Sequence, residues 1–128
     1  MVRYLTQEWL DRLVELGAGQ PVRPGATARL QYQVTGGPDG QIDYYWLVED
    51  GKLTDARLGQ LPDAEVTLSM THADAVAIQK GELDANAAFM QGKLKATGNM
   101  GKLMALLPIT MSAEYKQLNA DLTAETEF

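Results

Sequence analysis

The residue types that most often carry out catalysis are rare in this sequence and lie in unpromising positions. His72 is the only histidine among 128 residues, and it follows Thr71, which is well placed to cap a helix. A histidine at the start of a helix is usually solvated, so a general base or a metal ligand is the less favoured interpretation. The chain has no cysteine, which excludes a disulfide framework and a thiolate metal site. We therefore expect no metal and no cofactor.

Carboxylates are the remaining candidates for acid–base chemistry. Asp43 lies in an aromatic stretch, but strand alternation places it opposite Tyr44 and Trp46, toward solvent. Asp63 and Glu65 flank a turn, where carboxylates are usually surface charges because a raised pKa requires burial. The sequence contains no Gly-x-Ser-x-Gly elbow, His-Glu-x-x-His pair or Walker loop. We expect a protein that is not an enzyme.

The charge balance argues against nucleic acid as a partner. The chain carries 17 acidic and 11 basic residues, a formal net charge of -6. Neutralising a phosphate backbone requires clustered lysine and arginine, so no nucleic acid is expected. The one local basic cluster is Lys93, Lys95 and Lys102. It could contact an anionic head group or a membrane surface, although such a pattern is more often a solvated strand face.

Length and terminal sequences lead to expectations about organisation and location. A chain of 128 residues fits one domain, residues 1–128, and can bury roughly two thirds of the surface that it exposes when unfolded. The first residues lead into an acidic amphipathic helix without the long apolar run of a secretory signal or a membrane span. The last residues, Glu127 and Phe128, do not form a peroxisomal Ser-Lys-Leu tripeptide. We expect a soluble, cytoplasmic protein.

Hydrophobic periodicity predicts a mixture of strands and helices. Alternating apolar residues predict strands at 28–35, 42–49, 52–58, 65–70 and 93–97, with Asp50-Gly51 as a hairpin turn between the second and third. Helices are expected from Thr6 to about Leu16, from Thr71 to about Lys80, around 85–90, from Asn99 to Pro108, and from Ser112 onward. Pro108 is expected to end its helix. Alternation in every strand is typical of a sheet that is covered on one side only.

A block of mixed polar, glycine and apolar residues near the C-terminus carries a family resemblance. Residues 88–101 read Ala-Phe-Met-Gln-Gly-Lys-Leu-Lys-Ala-Thr-Gly-Asn-Met-Gly. This block resembles the sterol carrier protein 2 family, and the strand and capped helix upstream match the family in their order. The resemblance implies an α+β fold, a five-stranded mixed sheet covered on one face by helices, with an internal apolar tunnel. It also implies that the tunnel binds lipids.

The resemblance further implies where a lipid lies, because in similar proteins the helix after Met-Gly and the C-terminal segment form walls of the tunnel. On the residues alone, ordinary core is the favoured interpretation of the methionines in this part of the chain, and it is the resemblance that favours a tunnel wall. We expect an elongated apolar pocket of roughly 300 to 1,000 Å³. Gln91, Asn99 or Lys102 could orient a head group, and Gln91 could equally bond its own backbone. The side chains expected to bind lipid are Trp46, Val66, Leu68, Val76, Met90, Gln91, Leu94, Met100, Leu103, Met104, Leu107, Met111 and Tyr115.

The function that follows is non-catalytic binding and transfer of an elongated hydrophobic ligand, which could be a fatty acid, a fatty acyl thioester, a sterol or a similar lipid. One alternative is an accessory interaction module that docks a lipid-metabolising enzyme and has a small or collapsed cavity. Another is an isomerase or cyclase, which requires a buried carboxylate that the sequence does not locate. Tyr45 and Leu47 lie on the strand face assigned to solvent and predict a weak homodimer, against a monomer with two apolar surface residues.

Overall fold

The computed structural model describes residues 1–38, 40–110 and 112–128, with only the backbone of Leu107 and Thr110. The strands are β1 (Val2–Arg3), β2 (Ala28–Gly37), β3 (Gly40–Glu49), β4 (Lys52–Leu58), β5 (Val66–Thr71), β6 (Lys95–Gly98) and β7 (Thr126–Glu127). The helices are α1 (Gln7–Gly17), α2 (His72–Gln79), α3 (Ala85–Met90), α4 (Met100–Thr110) and α5 (Ala113–Ala124). Among the helices described, none has both the length and the apolar character to span a bilayer.

The main sheet has five strands in the order β4-β3-β2-β5-β6. β2 pairs antiparallel with β3 and parallel with β5, while β3–β4 and β5–β6 are antiparallel pairs. This mixed sheet confirms the predicted fold class. β1 and β7 form a second, two-stranded parallel sheet in which Val2 pairs with Thr126. Two-residue strands carry no usable periodicity, so the sequence pattern does not indicate them.

The helices begin where local chemistry predicts. Four short polar residues, Thr6, Thr71, Asp84 and Ser112, each accept a hydrogen bond from the backbone N–H three residues later. Such a bond satisfies one of the amide groups that the first helical turn leaves without a partner. The donor–acceptor distances are 3.1 to 3.2 Å. The predicted starts of α1, α2, α3 and α5 are therefore confirmed.

The prediction that Pro108 ends its helix is wrong, because α4 continues to Thr110. Proline lacks the N–H that would bond the carbonyl group of Met104 four residues earlier. Both Pro108 and Met104 are exposed, so water can satisfy that carbonyl. The cost of proline is also limited by its position in the last turn of the helix, where only two residues follow it.

The helices pack on one face of the main sheet, where the core lies. Val34, Tyr44 and Met70 project from the sheet toward Leu10 of α1 and Leu122 of α5, and all five side chains are buried in one cluster. A second cluster joins β2, β5 and α4; its buried members include Leu30, Val66, Leu106 and Ile109. These side chains occupy alternate strand positions, as expected when one face of a sheet is covered.

The other face of the sheet carries none of the described helices, but it is not uniformly exposed. Gln31 is only 5 % exposed, although alternation assigns it to solvent. Its Nε2 donates to the carbonyl oxygens of Tyr44 (2.9 Å) and Gly59 (3.1 Å), and its Oε1 accepts from the amide of Leu61 (2.6 Å). The loop after β4 therefore folds back over this face and buries Gln31, which alternation alone does not indicate.

Candidate functional site

A cavity of about 960 Å³ lies between the main sheet and the helices. Its size falls within the range of roughly 300–1,000 Å³ that is typical of small-molecule sites. The sheet contributes Leu30, Tyr32, Tyr44, Trp46, Val48, Leu53, Leu68 and Met70 to the wall. The helices contribute mainly aliphatic groups, among them Leu13, Ala75, Ile78, Leu103, Leu106, Ile109 and Leu118.

An aromatic strip on β2 and β3 forms part of the cavity wall. Tyr32 and Tyr44 are cross-strand partners, so their side chains leave the same face of the sheet. Their rings stack with centroids 4.8 Å apart and planes 2° from parallel. The Trp46 ring is tilted against Tyr32, with centroids 4.9 Å apart. Because side chains along a strand alternate between the two faces, three aromatic rings lie on one side of the cavity.

The cavity reaches the protein surface beside α3 and α4. Phe89 at the end of α3 is 47 % exposed, and Met104 on α4 is 63 % exposed, yet both line the cavity. The charged residues among its described lining are Lys80, Asp84 and Lys116, all exposed. These three residues therefore lie at the rim, and Asp84 also caps α3.

Tyrosine hydroxyls are the main polar groups inside the cavity. Four of the five tyrosines line it: Tyr4, Tyr32, Tyr44 and Tyr115. Burial raises the pKa of Tyr115 to about 12 and raises the pKa values of the other three above the ordinary tyrosine value. The proximity of Tyr115 adds to the rise in the pKa of Tyr4, of Tyr32 and of Tyr44. These groups are therefore neutral donors and acceptors that face a shared space.

The remaining chemistry of the cavity is limited. Neither a metal-binding cluster of three histidine, cysteine or acidic side chains nor a buried carboxylate on the cavity wall occurs in the part of the chain that the structure describes. Two buried polar atoms of lining residues, Gln20 Oε1 and Trp46 Nε1, have no hydrogen-bond partner there. The arrangement can enclose an apolar molecule and offer hydrogen bonds to it. It does not assemble an acid–base pair.

The structure brings about half of the expected lipid-binding residues together. Those that line the cavity are Trp46, Leu68, Leu94, Met100, Leu103, Met104 and Tyr115. Val66, Val76, Met90 and Gln91 do not line it. Val66 projects from the cavity face but is buried in the cluster under α4, whereas Met90 is 87 % exposed at the end of α3. Met111 and the Leu107 side chain lie outside the described residues.

Two of the residues considered for orienting a head group make other contacts. Asn99 Oδ1 accepts a hydrogen bond from the amide of Lys102 (3.2 Å) at the start of α4. Lys102 Nζ donates to the carbonyl oxygen of Thr27 (3.1 Å) and lies 3.5 Å from Glu65 Oε2. Gln91 is exposed and does not line the cavity.

Other lining residues are not among those predicted from the sequence, although strand alternation points to two of them. Tyr32 and Tyr44 occupy the same inward-facing positions that identified Trp46, so alternation contained the signal. Tyr4 follows the short strand β1, whose pairing with β7 depends on the far end of the chain. No local sequence pattern predicts a contact between the two ends of the chain.

Comparison with known proteins agrees with this architecture. The sequence model of the SCP-2 sterol transfer family matches residues 8–110. Sterol carrier protein 2 of Rattus norvegicus is 32% identical over 91 residues, which is 68% of this chain and 16% of the rat protein. The chain therefore spans only about a sixth of the length of that relative.

Two solved structures share the fold at low sequence identity. A Thermus thermophilus protein, described as possibly a sterol carrier protein, aligns with a TM-score of 0.73 at 16% identity, covering 92% of this chain and 88% of its own. A crystal structure of sterol carrier protein 2 aligns with a TM-score of 0.70 at 16% identity, covering 97% and 99%. Because the family's sequence model matches most of the chain, the chain belongs to the SCP-2 sterol transfer family.

Proposed function

We propose that this chain binds one elongated hydrophobic molecule in its cavity and transfers it between membranes without catalysing a reaction. Membership of the family supports lipid binding and transfer in general. The observation that carries the finer proposal is the cavity of about 960 Å³, whose wall is mainly aliphatic and aromatic. The ligand is a fatty acid, a fatty acyl thioester, a sterol or a molecule of similar shape.

The energetics of burial are sufficient for this role. A sixteen-carbon chain gains on the order of 12 kcal/mol when its methylene groups leave water. Association costs of several kcal/mol reduce this gain, which leaves dissociation constants from roughly micromolar to nanomolar. Binding of this kind needs no directional chemistry, so it tolerates ligands of different shape. A lining that includes Met70, Met100 and Met104 suits such tolerance, because methionine side chains adapt easily.

The alternatives receive less support. An accessory module with a small or collapsed cavity is not favoured, because the space between sheet and helices is open. An isomerase or cyclase requires a buried carboxylate, and the only carboxylate among the described lining residues is the exposed helix cap Asp84. We therefore propose a lipid carrier in preference to an enzyme or a docking module.

Transfer requires contact with a membrane, and the surface beside the cavity opening is suited to it. Phe89, Met90 and Met104 expose large apolar side chains there. Between Asp84 and Glu114 the sequence contains three lysines and no acidic residue, although the whole chain carries a net charge of -6. Lys93 and Lys95 are exposed, whereas Lys102 is paired with Glu65. Exposed apolar side chains in a segment with exposed lysines favour an anionic bilayer as the partner of this surface.

A pair of charge substitutions separates ligand binding from membrane contact. Leu103→Glu places an unpaired carboxylate in the cavity wall. It should weaken binding of a fluorescent fatty-acid analogue at least about 30-fold, because that burial costs at least about 2 kcal/mol. Met90→Glu introduces the same charge outside the cavity. It should leave affinity unchanged but slow transfer to anionic vesicles about fivefold.

Circular dichroism of both variants checks that they remain folded. Equal affinity of a folded Leu103→Glu variant and the wild type would refute binding in this cavity. If Met90→Glu left the transfer rate unchanged while Leu103→Glu abolished binding, the proposal that the cavity binds the ligand would be supported. The proposal that the surface around Met90 contacts the membrane would be rejected. Val22→Glu serves as a control for transfer and should not slow it. Val22 is exposed in the loop between α1 and β2, outside the segment between Asp84 and Glu114.

A further inference from the structure

The cavity contains a group of hydroxyls that a purely apolar ligand would not use. Tyr32 and Tyr44 come from the sheet, Tyr115 from α5 and Tyr4 from the segment between β1 and α1. All four side chains line the cavity. A wall built only to hold a hydrocarbon chain would be served equally well by phenylalanine, so the four hydroxyls call for a specific explanation.

The geometry of the sheet pair defines this group. The Tyr32 and Tyr44 rings are stacked 4.8 Å apart and nearly parallel, and both leave the covered face of the sheet. The phenol oxygen is the atom of each ring farthest from the backbone, so both hydroxyls extend away from the sheet. Tyr44 is 5 % exposed and lines the cavity, so what its side chain can contact lies inside the protein.

These hydroxyls have no protein partner. Within the described residues, no hydrogen bond engages the hydroxyl of Tyr4, Tyr32, Tyr44 or Tyr115. None of the four hydroxyl oxygens is fully enclosed by packed side chains, so each faces open cavity space. A polar group that is held away from bulk water is nearly always hydrogen-bonded, because leaving it unpaired is costly. The partner must therefore enter the cavity from outside, as water in the empty protein or as the polar atom of a ligand.

The surroundings determine the charge of that polar atom. The cationic residues on the described wall, Lys80 and Lys116, are exposed at the rim. A carboxylate buried beside the hydroxyls would therefore lose its hydration without gaining a cation. The raised pKa values of the tyrosines have the same cause, since burial disfavours an anion in this space. An uncharged oxygen loses far less hydration and can still accept the hydrogen bonds.

We propose that Tyr32 and Tyr44, with Tyr4 and Tyr115 around them, form a subsite for the uncharged oxygen of a lipid alcohol or lipid carbonyl compound. The inference rests on the proposed function, because it assumes that a lipid enters the cavity. It deepens that function by naming a ligand class: long-chain alcohols, ketones or esters whose oxygen lies inside the protein. An ionised fatty acid keeps its carboxylate at the rim and leaves the hydroxyls without a ligand partner.

The test compares two ligands of equal chain length. 1-Hexadecanol and hexadecanoate each compete with a fluorescent probe for the wild type, for Tyr32→Phe, for Tyr44→Phe and for the double variant. These substitutions remove an oxygen and keep the ring, so packing is preserved. Tyr45→Phe is a matched control, because Tyr45 is adjacent in sequence and does not line the cavity. We expect each hydroxyl removed from the subsite to weaken hexadecanol about fivefold and to leave hexadecanoate unchanged.

A spectroscopic measurement reads the hydrogen bond directly. A long-chain ketone bound to the wild type should show its carbonyl stretch at lower frequency than in hydrocarbon solvent, and the double variant should restore the hydrocarbon value. The inference is overturned if the wild-type carbonyl is not shifted, or if both ligands weaken equally in the phenylalanine variants. Failure of every ligand to displace the probe, or of the probe to bind, would instead overturn the proposed function itself.

Discussion

The two faces of the main sheet differ in how their polar side chains are paired. On the helix-free face, the Gln31 side chain makes four hydrogen bonds to backbone groups, and Arg29 and Arg57 pair at 2.8 Å with Asp63 and Asp55. The buried Nε of Arg29 is an exception, since it has no partner among the described residues. On the cavity face, the hydroxyls of Tyr32 and Tyr44 have no partner within the described residues. Folding normally pairs polar groups that are removed from water. The unpaired hydroxyls of the cavity face are therefore available to the ligand that we propose.

Tyr44 and Tyr45 show how small a sequence difference produces this contrast. They are adjacent on β3, and the pleat directs them to opposite faces. Tyr44 lies in the cavity, stacked on Tyr32, while Tyr45 pairs across the strands with Gln31 and Arg57 on the helix-free face. The same residue type therefore faces the cavity in one case and the outer surface in the other.

The largest effect on stability is expected from Gln31 on the helix-free face. Gln31→Ala removes one side chain and leaves the carbonyl groups of Tyr44 and Gly59 and the amide of Leu61 without their partner. Because unpaired buried groups cost about 1–3 kcal/mol, the free energy of unfolding should fall by about 2–3 kcal/mol. Urea denaturation measures this change. Gln33→Ala, on the same strand and face, is the control and should change stability by less than about 0.5 kcal/mol.

The cavity face should respond to alkaline pH. The pKa values of its four tyrosines are raised in the folded protein, so the unfolded chain loses these protons first, from about pH 10. Stability is therefore complete below pH 10 and decreases as pH rises toward the folded-state pKa, which for Tyr115 is about 12. The decrease is at most about 1.4 kcal/mol per pH unit for each tyrosine ionised only when unfolded.

Urea titrations at pH 9, 10 and 11 measure this decrease, and the ultraviolet absorbance of tyrosinate follows ionisation in the folded state. Phenylalanine at positions 32 and 44 should flatten the dependence. Stability that is independent of pH across this window would show that the cavity tyrosines are not buried as described.

The smallest effect concerns self-association through the helix-free face. Tyr45 and Leu47 are half-buried there, with the Arg29–Asp63 and Arg57–Asp55 pairs on the neighbouring strands. We predict a weak homodimer through this patch, which would leave the cavity free to exchange ligand. Sedimentation velocity of the wild type and of a Tyr45→Lys/Leu47→Lys variant measures it. A wild type that stays monomeric at high concentration, or a dimer indifferent to both lysines, excludes this interface.

Much of the fold could be predicted from local signals. The caps at Thr6, Thr71, Asp84 and Ser112 and the Asp50-Gly51 turn depend on chemistry within a few residues. Both turn residues have positive φ, 49° and 82°, as a two-residue hairpin loop of this kind requires. The burial of Gln31 and the pairing of β1 with β7 depend on segments far away in sequence, and no local pattern encodes them.

The site was harder to predict for a related reason. Alternation indicates which side chains leave the covered face of the sheet, but the helices decide which of them meet open space. Val66 and Leu68 leave the same face of β5, yet Val66 is buried under α4 and Leu68 lines the cavity. That boundary depends on where α4 lies across the sheet. Alternation indicates that the side chains of Tyr32 and Tyr44 face inward, but it does not indicate whether their hydroxyls find a partner.

The central claim is that the space between sheet and helices holds a lipid, and native mass spectrometry tests it most directly. The protein is examined as purified and after exposure to 1-hexadecanol, beside the Leu103→Glu variant. We predict one bound apolar molecule per wild-type chain and none in the folded variant. A wild type that carries no ligand under either condition, or a variant that retains the ligand equally, would contradict the account.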